Sequence, residues 1–440
     1  MARANRVVLA ALIACAAPLA AQTPVLAPAR QTVTLADALR LAQQFQPTVL
    51  AAEGQVRAAE ARTRAAKGAF LPNLSFSSGG SRSSSEGTSR IDPITGDLIS
   101  GNQTNQSVQF GVQTGITLFD GFNRSNQLRA ARATEAALEA NFIDVRFTTA
   151  LSTTNTFLDA LEARQLLSVR QAGVSRAEEQ AKVANARLQT GSATRSDSLR
   201  SLVTLGTAQL AMLNAQTQLA TTEANLGRLI GSNDRVAATE DSSLYNLPAT
   251  LDTAAIRQDV INRSPRVRNA EAQAEAARAS YRASRANYWP TLTASANTSI
   301  SGSQANDYDL RQNRSIGLNL SWNLFDRFSR NLTVAQSAIA LDNAVAQSED
   351  ATRQIIATLT QQLATLQTAQ TRIAITTISV QAAREDLRVI NERYRLGVAT
   401  IVDVLTSQEA LNSAEVEVIT ARLAVLRARV QIETLVGRNL

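Results

Sequence analysis

Histidine is absent from all 440 residues, and the single cysteine is Cys15. Imidazole catalysis, His-ligated metals, thiolate chemistry and disulfides are therefore closed to the chain beyond its leader. Aromatic residues make up only 4%, thin material for a globular core. After Ala21 no apolar run is long enough to cross a bilayer as a helix, so any membrane passage would have to be a closed β-barrel. Walker-type and dinucleotide-type glycine loops are missing too. No residue constellation supports an enzyme, a metal site or a cofactor.

Alanine, glutamine, serine, threonine and arginine dominate instead, with a formal charge of +7. The arginines are interleaved with acids, as in Arg129, Arg132, Glu135 and Glu139, the pattern of a solvated helix face rather than a nucleic-acid footprint. The N-terminus reads as an export signal: Arg3 and Arg6, an apolar stretch from Val7 to Ala14, then small residues to a cleavage point after Ala21. Leu12-Ile13-Ala14-Cys15 also resembles a bacterial lipobox, so lipidation of Cys15 is the other processing route.

From Ile356 onward apolar residues recur at heptad spacing: Leu359, Leu363, Leu366, Ile373 and Val380, then Val404, Leu411, Val418, Val425 and Ile432. Between these seams Gly397 supplies a helix stop, and Thr400 with Asp403 has the spacing of a capping box. The segment is the tip of a helical hairpin. It occurs twice, because Gly191, Thr194 and Asp197 stand where Gly397, Thr400 and Asp403 stand, and 397 − 191, 400 − 194 and 403 − 197 all equal 206. Leu118-Phe119-Asp120 matches Leu324-Phe325-Asp326 at the same offset, as Gly231 matches Gly437. A duplicated unit is implied.

Taken in order, residues 33–231 form the first repeat: helices over 33–70, strands over about 72–119, helices over 121–231. Residues 232–252 read as a linker. The second repeat spans 253–437, with helices over 253–288 and 327–437 around strands at about 290–325. The strands show a period of two: Val108, Phe110, Val112, Ile116 and Leu118 against Gln109, Gly111, Gln113 and Gly115. Ile316, Leu318, Leu320, Trp322 and Leu324 likewise alternate with Gly317, Asn319, Ser321 and Asn323. Asp120 and Asp326 then cap long helices, the first expected from Asn123 to Gln189, on the order of 100 Å long. Trp289 fits the strand–helix joint, or an interfacial position shared with Trp322. Two strand pairs cannot close a barrel, since membrane barrels begin at about eight strands. At least two copies must pool them.

This order of elements resembles the TolC family of outer-membrane efflux channels over essentially the whole mature chain. The similarity is carried by the tip segment YRLGVATIVDVL (Tyr394 to Leu405), by the Leu-Phe-Asp strand exits, and by Leu71-Pro72-Asn73-Leu74 and Trp289-Pro290-Thr291-Leu292 at the strand starts. The resemblance implies an α+β membrane protein: a homotrimer whose shared twelve-stranded barrel, set in outer-membrane lipid, continues as an α-helical periplasmic tunnel. It implies a passive conduit for drugs or exported cargo in a tripartite efflux or type I secretion system. Its tips would dock on a periplasmic adaptor and, through it, an inner-membrane pump. By the same resemblance Asp197, Asp403 and Tyr394 would form the entrance gate, and Gly191, Thr194, Gly397, Val398 and Thr400 the docking tips. Two gate positions of the best-known member fall on Thr406 and Ala399 here, implying a differently built latch. The aspartates also read simply as helix caps. A coiled-coil spacer or adhesin of the cell envelope is the competing reading, and the apolar face from Ile316 to Leu324 argues against it.

Overall fold

The computed structural model describes residues 31–438 apart from 88–89, 92, 95, 97, 100–102, 242–252 and 304–306. The leader, with Cys15 and the cleavage point after Ala21, lies outside the described residues. The described residues open with β1 (Gln31–Val33), α1 (Leu35–Phe45) and α2 (Pro47–Gly68). Next come β2 (Asn73–Ser85), the two-residue strands β3 (Arg90–Ile91) and β4 (Leu98–Ile99), and β5 (Gln103–Phe119). The long helix α3 (Asn123–Gln189), the return helix α4 (Arg195–Leu229) and β6 (Val236–Ala238) follow. The second half repeats the plan: α5 (Thr253–Arg263), α6 (Pro265–Arg285), β7 (Thr291–Ser303), β8 (Arg311–Ser321), α7 (Ser329–Arg395) and α8 (Ile401–Val436).

The stretches read as helical over 33–70 and 253–288 each break at a proline. Gln46 and Ser264 are pushed to ψ of 123° and 125°, and Pro47 and Pro265 start the next helix, as steric crowding before proline requires. The segment 232–252 is not wholly a connector: Val236–Ala238 pairs in parallel with Gln31–Val33. Its three residues are all buried, because they seat against the helices rather than cross solvent. Trp322 and Leu324, which continue the alternation, lie past the end of β8. The Trp322 indole instead donates to the Tyr288 carbonyl at 3.2 Å, which folds this segment back onto the joint.

Strands β2, β5, β7 and β8 form one antiparallel sheet in that order, so β2 and β8 are its edges. In register, Phe76 faces Val112, Phe110 faces Ile300, and Leu292 faces Leu320. One face is therefore apolar, and the other carries Ser, Thr, Asn, Gln and Gly. The apolar face stays open to solvent in the single chain: Leu74, Phe76, Ile316 and Leu318 are all exposed.

Both long helices contain 67 residues, about 100 Å at the usual rise. Contacts along α3 come from α1, α2, α4, α6 and α8, and along α7 from α5, α6 and α8. Two apolar clusters hold the rods together. One gathers Phe157, Leu158 and Leu161 with Leu226, Val33, Val236 and Leu423; the other joins Ile256, Val260, Leu359, Val425 and Ile432. The many threonines stay helical by bonding back one turn, as Thr153 does to the Thr149 carbonyl at 2.8 Å.

The strand–helix joints are built alike. Asp120 and Asp326 accept from the backbone N–H of Arg124 and Arg330 at 3.0 and 2.8 Å, satisfying a first-turn donor. Gly121 and Arg327 occupy the same left-handed position, at φ of 64° and 59°. Conformation alone thus does not demand glycine. Trp289 does: a Cβ on Gly121 would lie 2.7 Å from the Trp289 Cβ and 2.8 Å from the Ala286 carbonyl. Gly121→Ala is expected to destabilise this joint by about 3 kcal/mol. Arg327→Gly should be neutral or slightly stabilising, by up to about 1 kcal/mol. Thermal melting of the detergent-solubilised variants by circular dichroism checks both.

Candidate functional site at the helical tips

Each long helix ends on a glycine with positive φ, 75° at Gly191 and 79° at Gly397. The N–H groups of Ser192 and Val398 reach back to the carbonyls of Arg187 and Arg393, both at 2.8 Å, the six-to-one bond of a Schellman stop. The return helices begin three residues later. Thr194 Oγ1 accepts from the Asp197 N–H at 3.2 Å, and Asp197 Oδ2 accepts from the Thr194 N–H at 3.0 Å. Thr400 and Asp403 repeat the exchange at 3.3 and 2.8 Å. Both carboxyls are held below the usual aspartate range, first by the threonine backbone N–H and then by its hydroxyl.

The structure does not bring Tyr394 to either aspartate. Its side chain is buried with Leu387, Ile401, Val404 and Leu411, and its hydroxyl has no hydrogen-bond partner among the described residues. What holds Tyr394 is Arg187, from the end of α3. The guanidinium lies 4.5 Å from the ring centroid, and Nη1 donates to the Tyr394 carbonyl at 2.6 Å. A cation over an aromatic face, in a partly desolvated site, is worth about 1–2 kcal/mol. This residue locks the tip of the first repeat onto that of the second. Sequence reasoning missed it, because nothing in the chain separates Arg187 from the other helix arginines.

Higher up, arginines tie α3 to α8. Arg176 Nη2 reaches Asn412 at 2.6 Å and Glu415 at 2.9 Å, and Arg427 reaches Asp159 and Glu162 at 2.6 and 2.7 Å. Ser407 donates to Asp386 at 2.6 Å between α8 and α7. Ala399 packs against the tip cluster, while Thr406 is exposed. At the extremity Leu396 is 79% and Val398 66% exposed. Leu199, Leu202 and Val203 on α4 are exposed as well. Large apolar side chains are thus open to water at the end of the rod.

A sheet with one apolar and one polar face, two free edges and 67-residue helices leading to paired tips is the architecture of an outer-membrane channel subunit. Comparison with known proteins agrees. Residues 38–232 and 256–438 match the outer membrane efflux protein family, and the chain belongs to that family. It is 26% identical to the outer membrane efflux protein BepC of Brucella suis over 431 residues, covering 94% of this chain and 89% of the relative. It is 25% identical to the pyoverdine export outer membrane protein OpmQ of Pseudomonas aeruginosa over 394 residues, covering 88% and 81%. Among solved structures, the outer membrane protein VceC of Vibrio cholerae shares the fold with a TM-score of 0.78 at 18% identity, covering 92% of this chain and 96% of that one. The protein is an outer-membrane efflux channel with a periplasmic helical extension.

The capping boxes carry a pH dependence whose sign follows from the lowered carboxyl values. Their stabilisation is complete above the ordinary aspartate value of 3.8 and is withdrawn as pH falls through the lower folded-state value. Amide exchange in the first turns of α4 and α8, corrected for intrinsic rate, should show protection lost on acidification while mid-helix amides keep theirs. Thr400→Ala should cost about 1 kcal/mol locally and remove the step at the second tip alone.

Proposed function

We propose that three copies of this chain close into one barrel and tunnel that act as a passive exit duct. In this reading the duct performs no chemistry of its own, and an inner-membrane pump, engaged through a periplasmic adaptor, supplies the energy. The observation that carries it is the four-stranded sheet with both edges unpaired and one face apolar. Open edges are not tolerated in hydrocarbon, whereas a ring of copies removes them. The cargo passes along the face lined by Ser, Thr, Asn and Gln. Detergent-solubilised mass together with planar-bilayer conductance tests the proposal: a trimer with discrete openings is expected, and a non-conducting, water-soluble monomer would overturn it in favour of an envelope spacer.

At the periplasmic end the tips serve two roles. Gly191, Thr194, Gly397 and Thr400 set the hairpin shape, and Leu396 and Val398 present the apolar surface that an adaptor covers. The entrance is held by Asp197, Asp403 and Tyr394 acting through hairpin geometry, with Arg187 as the clamp between repeats. Arg187→Ala should raise single-channel conductance by loosening that clamp. Tyr394→Phe alone should leave conductance unchanged, because the hydroxyl is unbonded. Val398→Glu should abolish export in cells while the purified channel conducts normally; export at the wild-type level would remove the docking role.

A further inference from the structure

Strand register sorts every side chain of the sheet onto one of two faces. Leu74, Phe76, Val108, Phe110, Val112, Ile316, Leu318 and Leu320 share the apolar face. The four strands contain no aspartate or glutamate. On the apolar face charge appears at two positions: Arg82, opposite Gln106, and Arg314, opposite Thr298. The third basic residue of the strands, Arg311, pairs with Ser301 on the other face. Both outward arginines are exposed. Arg314 Nη2 donates to Gln312 at 3.2 Å, and neither has an acidic partner among the described residues.

In register Arg314 stands level with Thr298, Val112 and Phe76, six residues short of Arg82, so what the two share is their place on their own strands. Arg82 follows Phe76 with only Ser78 and Gly80 between on that face, and Arg314 precedes Ile316 directly. Each stands past the last apolar outward residue of its strand, on the side away from the helices. An outward arginine at mid-bilayer costs about 2–4 kcal/mol, and near the interface almost nothing. Each therefore marks the outer end of the lipid-facing run on its own edge strand.

They also sit on the two edge strands. A closed ring of identical copies must pair β8 of one copy with β2 of the next, and the strand directions make that pairing antiparallel. Each seam then carries Arg82 from one copy and Arg314 from its neighbour, facing lipid.

We propose that these arginines form an outward cationic collar that binds the phosphate groups of the phosphorylated glycolipid in the outer leaflet, one site per seam. The proposal rests on the barrel reading above. The guanidinium is suited to the task, since it grips phosphate with two parallel N–H donors and stays charged at any physiological pH. The glycolipid is the chosen occupant because the collar lies at the end of the sheet remote from the periplasmic helices.

Native mass spectrometry of the purified assembly in mild detergent is the test, with three probes: bisphosphorylated lipid A, its dephosphorylated form and phosphatidylglycerol. The wild type should retain bisphosphorylated lipid A preferentially. Arg82→Gln combined with Arg314→Gln should bind it about thirtyfold more weakly, each arginine beside an anionic surface contributing about fivefold. Arg311→Gln, on the opposite face, should bind as the wild type does. Equal retention by the double variant, or of the dephosphorylated lipid, overturns the collar. Equal binding of phosphatidylglycerol overturns the choice of glycolipid. Should the glutamine variant fail to assemble, Arg82→Lys with Arg314→Lys keeps the charge but loses the fork, and undiminished affinity there counts against the proposal. Assembly mass and conductance, read on the same samples, report separately on the barrel.

Discussion

Hydrocarbon offers no partner to a backbone N–H or carbonyl, and that single constraint organises the molecule. The sheet spends its hydrogen bonds on four strands and leaves two rows unmade, along β2 and β8. Its apolar side chains face away from the helices' own cores and find no cover within the chain. Neither deficit can be mended by local rearrangement, because β5 and β7 are already saturated by register on both sides. Identical copies, each bringing a β8 edge to the next copy's β2, remove both deficits together. The rods inherit the same ring through the joints at Asp120 and Asp326.

The joints and tips show how a duplicated unit diverges where its two halves meet different surroundings. Capping is conserved between repeats because it depends only on local geometry: Thr194 with Asp197 and Thr400 with Asp403 make the same exchange within a few tenths of an ångström. Positions that touch across the repeats differ. Gly121 faces Trp289 and tolerates no side chain, whereas its counterpart Arg327 adopts the same φ with one. Tyr394 fills the tip cluster under Arg187, while its counterpart in the first repeat is Leu188. The pseudo-symmetry thus holds for the backbone and fails for the contacts between halves.

This distinction also explains what a single sequence could reveal. The repeat, both hairpin tips, the ends of α3 at Asn123 and Gln189, and the apolar face of the sheet were all legible, since each follows from periodicity or from one residue type at one place. The break at Pro47 and Pro265 was carried by proline chemistry but blurred by continuous helical periodicity on either side. The strand Val236–Ala238 was hidden, because three residues carry no period and their partner, Gln31–Val33, is some two hundred residues away. Arg187 was invisible for a related reason: its role is a relation to Tyr394 in the other repeat, and no local pattern records that.

At the entrance, the geometry weighs the aspartates against the arginine. Asp197 and Asp403 each accept from a backbone N–H and a hydroxyl in their own turn, so one oxygen of each carboxylate is already committed to starting a helix. Pulling that oxygen into a contact with another tip would release the first turn of α4 or α8 and cost about as much as the new bond returns. Arg187 has no such conflict. Its guanidinium lies over the Tyr394 ring, and its donor joins the Gly397 N–H on the Tyr394 carbonyl at the helix end. Closure that runs through this contact and opening that breaks it would leave the hairpins folded throughout, which is the requirement for a gate that moves as a rigid tip.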